Sequence, residues 1–498
     1  MKKIYTLLVI TLLSTSIFAQ WNQMGSDING ESSGDQSGYS ADLSADGLTM
    51  AVGAIINTGN GFDAGHVRVY KFITGMWIQQ GTDIDGESAG DRSGIAVSIS
   101  DDGLTVAIGG FENDGGGFDS GHVRVFKFIS GAWEQQGADI DGEAAFDYSG
   151  ESVCLSSDGL TVAIGADGND GNGDDAGHVR VYKFITGAWV QQGADIDGES
   201  AGDRSGYSVS LSNDGLTLAI GAYGNIGDGT ASGHVRVYKF ITGMWIQQGT
   251  DIDGESGGII VGESIDVSLN ADGSIVAIGA SRNDGNGVDA GHVRVYKFIS
   301  DVWTQQGVDI DGEAANDNSG NSVSLSNDGL TVAIGAYGNS GVGMAAGHVR
   351  VYKFISGVWT QQGVDIDGAF AIDLSGKSVS LSSDGLTVAI GAYLNDGNGV
   401  DAGHVRVYKL STLSISEEKS LFQEVAIFPN PNKGIVNIDL GKLNKASIKV
   451  FSIYGELIYQ EETINESLLT FELKEASGTY FIEISAQGHL QQYPLIIN

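Results

Sequence analysis

Cysteine, proline and basic side chains are all scarce in this chain. A single cysteine, Cys154, stands among 498 residues, so no internal disulfide can form and stability must come from packing. Cys154 occupies a position where other units carry Ser, as in Ser98 and Ser210, and reads as a small core residue. The three prolines, Pro429, Pro431 and Pro494, all lie beyond residue 428 and mark off a segment of different composition. Lys and Arg number 26 against 63 Asp and Glu, a formal net charge of −37. Such a surface repels nucleic acid and anionic lipid, leaving cations, basic partners or solubility in salty surroundings as its uses. Past residue 13 no apolar run approaches the ~20 residues of a membrane helix, which excludes a helical span in the mature chain.

Residues 1–19 carry two lysines, an apolar run from Ile4 to Leu13 and small residues before Gln20. They read as a secretory signal peptide. Cleavage after Ala19 leaves no cysteine at the new N-terminus, so lipid anchoring there is not expected.

What is abundant is repetition. The stretch GHVRVYKF, Gly65 to Phe72, returns almost unchanged from Gly121, Gly177, Gly233, Gly291, Gly347 and Gly403, at a period of 56 residues with one step of 58. Self-similarity at a fixed period means units that bury their faces only against their neighbours. Within one unit, Gly94 to Ser100 alternates as a first strand, and Leu104 to Gly110 follows an Asp-Gly turn as a second. GHVRVFKF is the third strand, and AWEQQGADI, carrying Trp133, the fourth. Four antiparallel strands repeated radially describe an all-β, seven-bladed β-propeller over residues 20–410. The last third strand has no Trp-bearing partner after it, and Trp21 has no unit before it. The N-terminal strand is therefore expected to close the last blade.

The repeat GxSVSLSxDGLTVAIGA followed by GHVRVYKF resembles the FG-GAP units of integrin α-chain propellers, with SG where that family has FG. The calcium loop such units often carry between their first two strands is missing, since Ser157–Asp158–Gly159 leaves no room for it. A polar linker, residues 411–423, leads to strand-rich residues 424–498. These resemble the type A C-terminal sorting domain of the type IX secretion system of Bacteroidetes, through Pro429–Asn430–Pro431 with Gly434, Phe451–Glu456, and Gly478–Thr479–Tyr480–Phe481. That resemblance implies a small β-sandwich, contact with the type IX machinery, and a protein secreted or held on the cell surface.

Candidate sites compete with structural readings. The histidines His66, His122, His178, His234, His292, His348 and His404 sit on different blades and cannot converge on one metal; they suit hydrogen bonds to a neighbouring loop. Arg68 with Tyr70, and its equivalents, read as packing, the Arg meeting an acid such as Asp63 or Asp91. Asp83, Asp85, Glu87 and Asp91, and separately Asp284, Asn286 and Asp289, offer oxygen ligands of the kind calcium takes. The same residues also suit tight turns. SSDGLT is similar to the Asp box of sialidases but lacks its spacing and its Trp, and no Ser–His–Asp set or acid pair stands apart from the repeat.

The function expected is binding or adhesion toward an extracellular protein or glycan, rather than catalysis. A polysaccharide- or glycoside-acting enzyme and a structural surface protein are the alternatives, and an aromatic-and-acid pocket at the channel mouth favours the enzyme. Chain geometry puts the SxDG and ISG turns on one face and the longer loops on the other. The loop face carries the variation, above all Ile259, Ile260 and Val261 in the fifth crossover, with Phe146, Tyr148, Phe370 and Leu374 as further contacts.

Overall fold

The computed structural model describes residues 20–498 except 227–231, 255–264, 412–424, 442, 444, 453–455, 465, 475–476 and 487–488. The expected signal peptide, nearly all of the linker, and Ile259, Ile260 and Val261 lie outside the described residues. Two compact units divide at Ser411 and Thr412.

In the first unit, the described residues form seven separate sheets, each a blade. We number them by their first strands, from Ser37–Leu43 (blade 1) to Ser378–Leu381 (blade 7). In blade 2 the order is Val97–Ile99, Thr105–Gly110, His122–Ile129 and Ala132–Gln135, all antiparallel. The fourth strand is shorter than its sequence suggests. It breaks after Gln135, resumes at Ile140–Asp141, and both pieces pair with the same third strand. Glycine makes the break. Gly81, its counterpart in blade 1, has φ +72, and a Cβ there would sit 2.9 Å from the Trp133 ring of the next blade. The first strand of blade 2 is also shorter than expected: Gly94, at φ +93, packs against the His66 carbonyl and Gly53 of blade 1, and the ladder to the second strand begins at Val97.

The core lies between blades. The second strands are buried along nearly their whole length, as in Thr105–Gly110, because a neighbouring blade covers each face. Ala51, Val67, Val69 and Ile84 of blade 1 thus form one cluster with Ile99, Val106, Ile108 and Phe126 of blade 2. Between blades 7 and 1 the same cluster recurs, with Val405 and Val407 against Met50, Val52 and Tyr70. The ring closes as its sequence implies. Trp21 pairs with Leu410 and Ile28 with Val405, so the N-terminal strands complete blade 7.

Polar groups close the same circle several times. Each Trp indole donates to a carbonyl at the strand break of the preceding blade: Trp77 to Met24, Trp133 to Gln80, Trp189 to Gln136, and finally Trp21 to Gln362 at 2.7 Å. Arg124 donates to the Asp85 carbonyl at 2.6 Å, lies 3.6 Å from Glu87, and sits over Phe126 of its own blade. Arg68 likewise reaches Glu31 and the Asn29 carbonyl, so its acidic partner is a glutamate of the preceding crossover and not Asp63 or Asp91. Nearer the axis, one side chain per blade accepts the amide of the next: Asp42 from Ile99, Ser98 from Leu155, Cys154 from Leu211, and so on until Ser380 accepts from Leu43. Cys154 is in this belt because its Sγ, 3.2 Å from the Leu211 nitrogen, does the work of a serine hydroxyl.

The C-terminal unit is a sandwich of a three-stranded and a four-stranded sheet. Val436, Ile438, Ile448, Val450, Ile482, Ile484 and Leu495 fill the space between them. Asn430 and Asn432 of the Pro-Asn-Pro-Asn run bond the backbone of the last strand, at Pro494 and Ile496. Part of Phe451–Glu456 lies outside the described residues.

Trp21 tests closure directly. Trp21→Ala removes a buried side chain and the indole bond to Gln362, and should destabilise the propeller by about 3–5 kcal/mol. Thermal and denaturant unfolding measure it; an unchanged midpoint would show that the N-terminal strand does not close the ring.

Candidate functional site

The first strands line a central channel, running from the loop face to the turn face. At the turn face the channel is narrowed by a closed ring of backbone hydrogen bonds. Ala45 donates to Asp101, Asp101 to Ser157, Ser157 to Asn213, Asn213 to Ala271, Ala271 to Asn327, Asn327 to Ser383, and Ser383 back to Ala45, at 2.9–3.2 Å. Seven backbones at the ~4.8 Å spacing of hydrogen-bonded strands make a ring roughly 11 Å across between backbone centres. At the loop face the channel opens into a cavity of about 240 Å³.

One position breaks the sevenfold pattern in this cavity. The residue that opens each first strand is Tyr39, Ile95, Glu151, Tyr207, Ile265, Asn321 or Lys377 in turn, and all seven line the cavity. Two of them pair with tyrosines from the ends of second strands: Tyr39 with Tyr393 at 5.2 Å and Tyr207 with Tyr223 at 4.8 Å between ring centroids. The Lys377 ammonium lies 4.9 Å from the centre of the Tyr39 ring. Burial, reinforced by Asp167, pushes the Glu151 carboxyl up to about 8, against a smaller opposing pull from Lys377. Asp167 itself is pushed up to about 6 by burial, although Arg204 lies 3.6 Å away.

Farther out on the loop face, Phe146 is half exposed and packs edge-on against Phe118 at 5.4 Å, while Tyr148 meets Phe111 and Phe146. The structure thus brings Phe146 and Tyr148 together, at the crossover into blade 3. Phe370 is exposed and Leu374 partly buried at the crossover into blade 7, well separated from them.

The oxygen-rich residues are not brought together as one cage. Asp83 lies beside His66 Nδ1 at 3.6 Å, with Glu31 completing that group. Glu87 belongs to the next interface, with His122 and Asp139. Asp91 accepts the amides of Glu87 and Ser88, and Asp85 is a strand residue paired with His66. Each Glu–His–Asp group named here also meets an arginine, Arg68 or Arg124, which supplies the positive charge a cation would bring. Burial and then the adjacent arginine lower His122 to about 4, so it is neutral at physiological pH. Asp284 accepts the Asp289 amide, and Asn286 donates to the Gly312 and Glu313 carbonyls, holding a loop against the next crossover. These are turn-forming roles.

Sequence reading missed the channel-mouth residues because it looked for what the units share. The signal was present: one residue changes from unit to unit between an invariant Gly or Ser and a constant strand.

Comparison with known proteins identifies the tail. Residues 426–498 match the family described as secretion system C-terminal sorting domain. The sorting domain gives the chain a place in an export route, to the cell surface or the medium. A 94-residue stretch is 27% identical to "Ulvan lyase NLR42" of Nonlabens ulvanivorans, covering 18% of this chain and 17% of the lyase. This chain therefore spans a small part of that relative. The β-propeller domain of the Trilobed protease from Pyrococcus furiosus aligns over 79% of this chain and 98% of its own, at 10% identity and a TM-score of 0.40. Among the described residues no helix is long and apolar enough to cross a membrane.

Glu151 gives a pH test. Its folded-state pKa is raised above the unfolded value of 4.5, so its protonated form stabilises the fold and that contribution is lost as pH rises toward about 8. Glu151→Gln should raise the melting temperature relative to wild type more at pH 8 than at pH 4.5. Equal shifts at both pH values would mean the carboxyl is not held protonated by the channel.

Proposed function

We propose that this is an exported binding module, adhesive toward an extracellular protein or glycan, that meets its partner with the loop face of the propeller. The observation that carries this reading is the contrast between faces. The inner edge of the turn face is closed by its own ring of backbone bonds, and the turns outside it are nearly the same in every blade. The loop face presents unlike residues blade by blade, among them the exposed side chains of Phe62, Phe118, Phe146, Met344 and Phe370. Apolar groups left in water on a rigid scaffold are what a partner can bury. The resemblance to FG-GAP propellers fits the same reading, and the sorting domain supports delivery of the module by the type IX route.

Catalysis on a polysaccharide is the second reading. It draws on the acid, tyrosine and lysine side chains gathered at one cavity, and on the limited similarity to a lyase.

Binding of the purified propeller to glycan and protein arrays, followed by substitution, tests the first reading. Phe118→Ser with Phe146→Ser should weaken binding about tenfold or more with the melting temperature kept. Met76→Ser and Ile129→Ser, exposed near the opposite turns, should not. The reverse pattern would place the contact on the turn face. Deleting residues 426–498 should leave the propeller folded but retained inside the cell envelope, as fractionation would show; normal surface display would refute the export role of the tail.

A further inference from the structure

The cavity at the channel mouth holds polar groups of two kinds. Most are already used by the fold. Ser40, Ser152, Ser322 and Ser378 donate to the carbonyls of Gly94, Gly206, Gly376 and Gly38 on the next blade. Asp266 accepts from Ser208 Oγ and from the amides of Val267 and Val323. Asn321 donates to the Lys377 carbonyl.

Lys377 and Glu151 are different. Among the described residues neither side chain has a salt-bridge partner: Lys377 lies over the Tyr39 ring, and the Glu151 carboxyl accepts no hydrogen bond. Both line the cavity, and Lys377 is near enough to favour the ionised form of Glu151. Neither is part of the repeat. Between residues 20 and 410 every other lysine stands at the YKF or YKL position of a third strand, and at the first-strand position of Glu151 no other unit has an acid. One lysine and one carboxyl at the same cavity, both without a salt-bridge partner in the fold, suit a ligand that contacts both.

The cavity limits what that can be. Its volume of about 240 Å³ corresponds to roughly eight waters at ~30 Å³ each, below the ~300–1,000 Å³ of sites for drug-sized ligands. The turn-face ring stops a longer molecule from threading through. The acidic balance of the chain, a formal −37 overall, disfavours a net anion. Tyr39, Tyr207, Ile95 and Ile265 supply aromatic and aliphatic walls.

We propose that the channel mouth is a binding site for a small zwitterion of the free α-amino acid type, its carboxylate on Lys377 and its ammonium on Glu151. The tyrosines and isoleucines between them take an apolar side chain. Such a ligand has no net charge to be repelled; its ammonium takes the place of the proton that Glu151 otherwise holds, which passes to solvent, and its carboxylate gives Lys377 an anionic partner. This assignment stands apart from the contact proposed for the outer loops.

Calorimetry on the mature protein tests it, using L-amino acids from glycine to tyrosine, their amides, which are cations only, and their N-acetyl derivatives, which are anions only. A zwitterion is expected to bind, with both derivatives at least tenfold weaker. Lys377→Met and Glu151→Gln should each cost tenfold or more, while Lys353→Met, at the repeated position, should cost nothing. On the unaltered protein, a bound amino acid should protect Lys377 and not Lys353 from acylation, read by peptide mass spectrometry. Equal binding of either derivative, binding of neutral sugars in place of amino acids, or no protection of Lys377 at millimolar amino acid would each overturn the proposal.

Discussion

Everything in the propeller depends on polar groups that one blade leaves open and the next blade completes. An indole N–H, a guanidinium, a first-strand amide and a turn amide each cross the same kind of gap, and each circle returns to its start at blade 7. A buried donor without a partner costs about 1–3 kcal/mol, so a missing blade would leave several such groups exposed or unsatisfied at once. Closure by Gln20–Asn29 is what removes that penalty, in a protein with no disulfide to hold the seam. The apolar core follows the same logic, since every cluster in the ring draws residues from two adjacent blades.

This arrangement explains which positions are uniform and which are free. Trp, Arg, the belt serine and the paired glycines meet the same surroundings seven times, so the same chemistry is needed seven times. Cys154 shows the latitude: a thiol replaces a hydroxyl because it still accepts an amide. Asp42 does the same with a carboxylate, taking the Ile99 amide. At the mouth of the channel the first strands diverge from these belts, and the contacts their side chains make differ from blade to blade. That is why Tyr39, Glu151, Asn321 and Lys377 can differ.

The acidic residues acquire a local meaning from the same frame. Asp91 and its equivalents tie down crossovers by accepting backbone amides, and Glu87 neutralises an arginine of the following blade. Much of the negative charge is therefore built into turns and interfaces. The remainder sets the field in which a partner or ligand must approach, and favours one that is neutral or basic overall.

Strand order, blade number and ring closure were legible in the sequence because each rests on local pattern: alternation, Asp-Gly turns, a fixed period, and one unmatched Trp strand at the N-terminus facing one unmatched third strand at residue 411. The strands of the tail were legible in the same way, while their packing as a sandwich was implied only by the resemblance that Pro429–Asn430–Pro431, Gly434 and Gly478–Phe481 carry. The partners of Arg68 and the break in the fourth strand were not, since both depend on where a neighbouring blade comes to rest. Nor was the channel mouth. Glu151 and Lys377 are 226 positions apart, four repeats, and the period aligns them, but because their identities differ from unit to unit the shared pattern does not single them out. Sequence by itself determined the ring, because a repeat that cannot bury its faces alone has to stack and close. Only the tertiary structure decided which seven side chains look into one cavity, because closing the ring is what brings the ends of seven distant strands to a common axis.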